Sequence, residues 1–207
     1  MREIYDITRT LGRETPPYPG DAPFFLRQAA TVSREGFNLS EIALSAHSGT
    51  HIDAPRHFFR KGKTLDQYPA RRFVLNATVA VCGVRDVIRR DDLAGVRPRR
   101  GEALILKTRN SRLPFKRFNR RYVYLDEDAA QWIAQRGVSL VGFDYYSVDA
   151  FDDKGQKAHH ILLAADVLVL ENLDLRRVKA GRYGLVCLPL RIAGAEAAPC
   201  RAVLMGR

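Results

Sequence analysis

Three of the chain's five histidines crowd into eleven residues together with an aspartate, in the stretch His47-Ser-Gly-Thr-His51-Ile-Asp53-Ala-Pro-Arg-His57. Imidazole and carboxylate are the donors that divalent zinc or manganese select, so this composition is that of a metal site. A fold built on it has to bring these side chains to one point. The remaining histidines, His159 and His160, precede Glu171 by about three helical turns and offer further donors.

Local geometry narrows the options. His47, His51, Asp53 and His57 all occupy odd positions, so in an extended chain they leave the same face. Extension alone fails, because at roughly 3.3 Å per residue His47 and His57 would stand about 33 Å apart. A helix is opposed by Ser48, Gly49, Thr50 and Pro55. Gly49 and Pro55 mark the places to bend, and the expectation is a strand ending in a curled loop. The HExxH helix of metalloproteases is absent.

At 207 residues with 46% apolar composition, the chain suits one well-buried core, and a single domain over 1–207 is expected. Cys82, Cys187 and Cys200 are widely spaced, which suggests neither a disulfide framework nor a thiolate zinc knuckle. The charged N-terminus lacks the apolar stretch of a signal peptide, and the longest apolar run, Ile161 to Leu170, is interrupted by Asp166. A cytoplasmic protein with no membrane partner is expected.

The formal charge is +11, and much of it is local: ten Lys or Arg residues against Glu102 alone between Arg97 and Arg121. Such a stretch is either an anion-binding rim or a solvated, mobile surface loop. No RNA-recognition or zinc-finger pattern accompanies it, so nucleic acid is not the expected partner, and a nucleic-acid-binding protein stands only as the non-enzymatic alternative.

Alternating or β-branched segments predict strands over Ile4–Leu11, Ser40–Ala46, Ala77–Val84, Ala103–Lys107, Ser139–Phe143 and Val167–Leu170, with at least two more after Tyr183. Helices are predicted over Asp126–Arg136, opened by acids and closed by Gly137, and over His159–Ala165. Strands outnumber helices, giving a mixed α/β domain on a largely β core. Glu171 reads either as a ligand or as the cap of a turn after its strand. His159 and His160 are adjacent, so one at most faces the site, and spacing does not choose between them.

The stretch His47-x-Gly-Thr-His51-x-Asp53-x-Pro55-x-His57 resembles the HxGTHxDxPxH signature of the metal-dependent cyclase superfamily, which includes bacterial kynurenine formamidases, isatin hydrolases and some polyketide cyclases. The opening YDITRTL with PPYPGD, the segment Gly142 to Asp149, and His159 to Leu175 resemble further family blocks in family order. The resemblance implies a swivelling β/β/α fold, one or two zinc or manganese ions and an oligomer, most simply a dimer. It implies His47, His51 and Asp53 as ligands of a first ion, Asp53 bridging to a second held by His159 and Glu171, and His57 as general acid/base. Tyr18 stands in PPYPGD, where kynurenine formamidases usually carry Trp in a segment that shapes the substrate pocket; its other reading is a packing residue in a Pro-rich turn.

The implied chemistry is physically coherent. Water on a divalent ion can lose a proton near neutral pH and attack a polarised carbonyl, and an imidazole such as His57 can carry that proton to the leaving nitrogen. No GxSxG elbow supplies a competing serine nucleophile. The expected reaction is hydrolysis of an amide in a small aromatic substrate, N-formylkynurenine first. Isatin-type ring opening and polyketide-type cyclisation or dehydration are the alternatives within catalysis.

Overall fold

Strands buried on both faces need short, nearly continuous apolar runs, and the Val-, Ile- and Leu-rich segments of this chain supply them. The computed structural model describes residues 3–206. In chain order its strands are β1 (Ile4–Asp6), β2 (Phe25–Ala30), β3 (Leu39–Ala43), β4 (His51–Asp53), β5 (Val74–Val81), β6 (Val87–Ile88), β7 (Ala103–Lys107), β8 (Tyr124–Leu125), β9 (Leu140–Phe143), β10 (Leu168–Glu171), β11 (Gly181–Val186), β12 (Ala197–Pro199) and β13 (Val203–Gly206). The α-helices are α1 (Val32–Glu35), α2 (Glu127–Gln135) and α3 (Lys157–Ala164).

Nine of the strands make one mixed sheet in the order β1-β13-β11-β5-β7-β9-β10-β4-β12. Its centre, β5, β7, β9 and β10, is parallel, and antiparallel strands flank it on both sides. Successive residues of the central strands serve different cores. Leu104, Leu106, Val141, Phe143 and Val169 pack with α2 and α3, whereas Ala103, Ile105, Leu140, Leu168 and Leu170 pack on the opposite face. That second core also holds Leu204 from one end of the sheet and Ile52 and Ala198 from the other, so the sheet curls around it. This is the α/β architecture with a largely β core that the sequence suggests.

Helix α2 follows the predicted boundaries. The Asp126 carboxylate accepts the Ala129 N–H at 2.8 Å, and Gly137 takes the left-handed turn at φ 65° that ends the helix. The expected strand Ile4–Leu11 is cut short, since only Ile4–Asp6 pairs as β1 and the Arg9 N–H turns to Thr50 Oγ1 at 2.9 Å. The expected strand Ser40–Ala46 forms as Leu39–Ala43, but outside the main sheet. It pairs only with β2, and Phe25, Leu26, Leu39 and Ile42 are 53–60% exposed, so alternation there does not mark a core face in the monomer. Among the described residues, no helix is long and apolar enough to cross a membrane.

Candidate metal centre and catalytic cavity

The His-rich stretch bends at Gly49 and Pro55 as expected, but its strand is short and has a turn on both sides. His47 lies in the turn before β4, the strand holds only His51, Ile52 and Asp53, and His57 closes the 3-10 turn Pro55–His57 that follows. Gly49 sets the bend, with φ 65° and a side-chain direction that would bring a Cβ to 2.5 Å from Leu11 Cδ2. The turn is fastened to the sheet because Asn172 Nδ2 donates to Gly49 O at 3.1 Å and Thr50 Oγ1 donates to Asn172 O at 2.8 Å.

Strand alternation then aims the side chains. Ile52 enters the core inside the curl, which turns His51 and Asp53 to the face carrying the helices. Antiparallel pairing of β4 with β10 sets Glu171 opposite His51, and α3 brings His159 over both. His51 Nε2 lies 3.4 Å from Asp53 Oδ1 and 3.6 Å from Glu171 Oε2; His159 Nε2 lies 3.5 Å from Asp53 Oδ2 and 3.3 Å from Glu171 Oε1. His47 Nδ1 is 2.9 Å from Asp53 Oδ1. His160, by contrast, is exposed and packs edge-on against Phe58, with ring centroids 4.6 Å apart.

These donors fall into two groups that share Asp53: His47, His51 and Asp53, and Asp53, His159 and Glu171. His51 Nε2, both Asp53 oxygens and His159 Nε2 are buried without a well-formed hydrogen bond, their polar neighbours being only the other members of the cluster. Burying such atoms unpaired is costly. Separations of 3.3–3.6 Å are those subtended by tetrahedral arms of about 2.0–2.1 Å. The residues present therefore fit a divalent metal.

The other ring nitrogens are already committed. His51 Nδ1 is 2.8 Å from Gly49 O, and His159 Nδ1 is 2.5 Å from Asp149 Oδ2. Each contact places a proton on Nδ1, so that Nε2 is the nitrogen whose lone pair a metal would take, once any proton it carries is displaced. Asp149 also accepts the backbone N–H of Ala158 at 2.7 Å, so one buried carboxylate both starts α3 and orients its histidine. Glu171 Oε1 accepts the Val148 N–H at 2.8 Å.

Charge within the centre is strongly coupled. Burial would lower His47, but Asp53 and, more weakly, Glu171 and Glu196 raise it to about 9. His159 is likewise held well above its usual value by Glu171, Asp149 and Asp53 against the effect of burial. Burial raises Asp53, yet His51 and His47 outweigh it and hold the carboxyl well below its ordinary value. Burial also raises Glu171. Without an ion, imidazolium protons supply the positive charge that the carboxylates require.

His57 stands apart from both donor groups. Its ring centroid is 4.3 Å from that of His47 and 6.0 Å from that of His159, and burial lowers its pKa to about 4. It lines a cavity of about 150 Å³ with the metal-site residues, Tyr18 and Asp21. Tyr18 is half-buried, packs edge-on against Phe118 at 5.2 Å, and is raised in pKa by its burial and by the Glu171 charge. The structure thus gathers His47, His51, Asp53, His57, His159, Glu171 and Tyr18 at one place. Asp149, Asp21 and Glu196 join them: Asp21 ends the PPYPGD block and Asp149 the Gly142 to Asp149 block, neither of which assigns its acid a role, and no local sequence signal marks Glu196.

Comparison with known proteins agrees with this geometry. The cyclase family model, described as "Putative cyclase", matches residues 5–150. The kynurenine formamidase of Salinibacter ruber is 36% identical over 204 residues, covering 97% of this chain and 96% of its own. A solved structure described as a potential metal-dependent hydrolase with cyclase activity superposes with TM-score 0.88 at 30% identity, covering 100% of this chain and 99% of its own. Isatin hydrolase A from Labrenzia aggregata shares the fold, with TM-score 0.87 at 22% identity over 99% of this chain and 94% of its own.

Proposed function

The chain belongs to the cyclase family, and from that premise we propose that it is a metal-dependent hydrolase of aryl formamides, with N-formylkynurenine as its first substrate. The observation that carries the reading is the set of buried donors without a well-formed hydrogen bond on His51, Asp53 and His159, converging beside a histidine that belongs to neither donor group. The formamidase relative, similar along nearly its whole length, supports the choice of bond.

His47, His51 and Asp53 would hold one ion, and His159 and Glu171, with Asp53 shared, a second. Mixed imidazole and carboxylate donors favour zinc first and manganese next. Bound there, a divalent ion polarises a carbonyl and lowers the pKa of water toward neutrality. His57 takes the proton of the attacking water and returns it to the leaving nitrogen, so that formate and an arylamine depart. Asp149 keeps His159 in register, and Tyr18 supplies an aromatic wall for the substrate ring.

The working unit in this reading is a homodimer. A two-stranded hairpin is marginal alone, and β2–β3 exposes large apolar side chains on both faces. The chain carries a second exposed apolar surface at Leu188, Leu190 and Ile192, so a second copy can cover both.

Side-by-side assays of metal-loaded protein on N-formylkynurenine and isatin test the substrate reading. Hydrolysis of the formamide is expected. Ring opening of isatin alone would keep the reaction class and remove the formamide; inertness toward both would overturn the reading.

A further inference from the structure

The cavity at the metal centre, about 150 Å³, is smaller than the roughly 300–1,000 Å³ of ordinary small-molecule sites. A cavity of that size takes only the reacting end of an aryl formamide, so the remainder of such a substrate would lie outside it. A groove of about 870 Å³ runs beside it, lined by Arg85, Asp86, Arg109, Arg120, Arg121 and Asp152 together with Phe151 and Tyr122.

Groove and cavity share a wall. The Phe151 ring lies 5.9 Å from Tyr18, which lines the cavity, while the Arg120 guanidinium sits 4.6 Å from the centroid of Phe151. Tyr122 hydrogen-bonds Asp149 O at 2.7 Å, tying the groove floor to the residue that orients His159.

The arginines are not equivalent. Arg109 is spent on structure: its guanidinium donates to Arg85 O, reaches Arg121 O at 3.5 Å and pairs with Asp86 at 3.5 Å. It clamps together the two segments that carry Arg85 and Arg121. Arg85, Arg120 and Arg121 make no ion pair among the described residues, and Asp152 is the remaining carboxylate on the rim. With Arg109 spent, Arg85, Arg120 and Arg121 outnumber Asp152 along the lining and leave the groove cationic, and guanidinium is suited to bidentate capture of a carboxylate.

We propose that this groove binds the carboxylate of the substrate, through Arg120 and Arg121 with Arg85 behind them, while the aryl formamide occupies the metal cavity. The inference rests on the function proposed above and adds where the carboxylate of its substrate is held, so that aryl formamides lacking that carboxylate bind more weakly. It also gives the basic stretch ending at Arg121 a role on one substrate.

Equilibrium binding to the metal-loaded protein tests this without turnover, using kynurenine and kynurenamine, the same aryl ketone amine lacking the carboxylate. The wild type should bind kynurenine at least tenfold tighter, the scale of a charge-assisted hydrogen bond. In Arg120→Gln/Arg121→Gln that ratio should fall close to one, and in Arg177→Gln, which removes an exposed arginine away from the groove, it should persist. Equal affinities in the wild type, or a ratio kept by the double variant, would overturn the proposal. A ratio that collapses as expected in an enzyme unable to hydrolyse N-formylkynurenine would leave the carboxylate site standing and sink the formamidase reading.

Discussion

Glu171 lies directly opposite His51 in the antiparallel ladder between β10 and β4, and the pairing leaves His51 Nε2 3.6 Å from Glu171 Oε2. Residues 120 positions apart are thus made neighbours by strand register. A one-residue slip of β10 would turn Glu171 into the apolar core and Leu170 toward the histidines. Packing of Leu168 and Leu170 inside the curl therefore holds the metal centre in place.

Asp149→Asn should preserve the fold and lower metal affinity about 10- to 100-fold, the usual effect of losing a partner that orients a ligand histidine. An amide in its place no longer enforces the Nδ1–H tautomer of His159. Competition with a chelating dye measures the affinity, and circular dichroism checks the fold.

His57→Ala should retain its metal while kcat on N-formylkynurenine falls about 100-fold or more. The ring belongs to neither donor group yet lines the cavity. Elemental analysis and steady-state kinetics on the same preparation separate the roles; loss of metal with normal turnover after reconstitution would make His57 a ligand.

Metal binding should tighten as pH rises. In the metal-free protein His47 is raised to about 9 and His159 well above its usual value, so at pH 7 both hold protons that an ion must displace. Below about pH 9 displacement of the His47 proton steepens the dependence toward about tenfold per pH unit, and displacement of the His159 proton adds to it. Calorimetry in buffers of different ionisation enthalpy counts the protons released; release of none would contradict the charge balance described here.

Leu26→Asp with Ile42→Asp should convert a dimer to monomers, since both side chains are more than half exposed on the unpaired hairpin. Sedimentation or light scattering reads the mass. A wild type that is monomeric at micromolar concentration would remove the dimer from the account.

Much of the site is legible in the sequence because its donors are of few types and closely spaced. Three histidines and Asp53 within eleven residues announce a metal centre, and the resemblance of the His159 to Leu175 block selects His159 over His160. The central strand Ala103–Lys107 and helix α2 are legible because a short apolar run and a capped amphipathic segment each have one stable reading. Asp149 is hidden, since a carboxylate that orients a histidine ten residues later looks like any loop acid. The direction of the bend at Gly49 depends on Leu11 and Asn172, which are distant in sequence. Strand Phe25–Ala30 carries no apolar pattern that marks it, and the apolar residues of Leu39–Ala43 mimic a core strand although they are exposed.

The central claim is that the His/Asp/Glu cluster holds the metal on which hydrolysis depends, with Asp53 common to both donor groups. Its most direct test is a zinc titration of chelated, metal-free protein, following metal content and N-formylkynurenine hydrolysis together in the wild type and in Asp53→Asn. The account predicts no activity without metal, recovery that saturates at one or two ions per chain, and a folded Asp53→Asn that binds fewer ions and stays inactive. Full hydrolysis by the chelated wild type, or unchanged metal content and activity in Asp53→Asn, would contradict it.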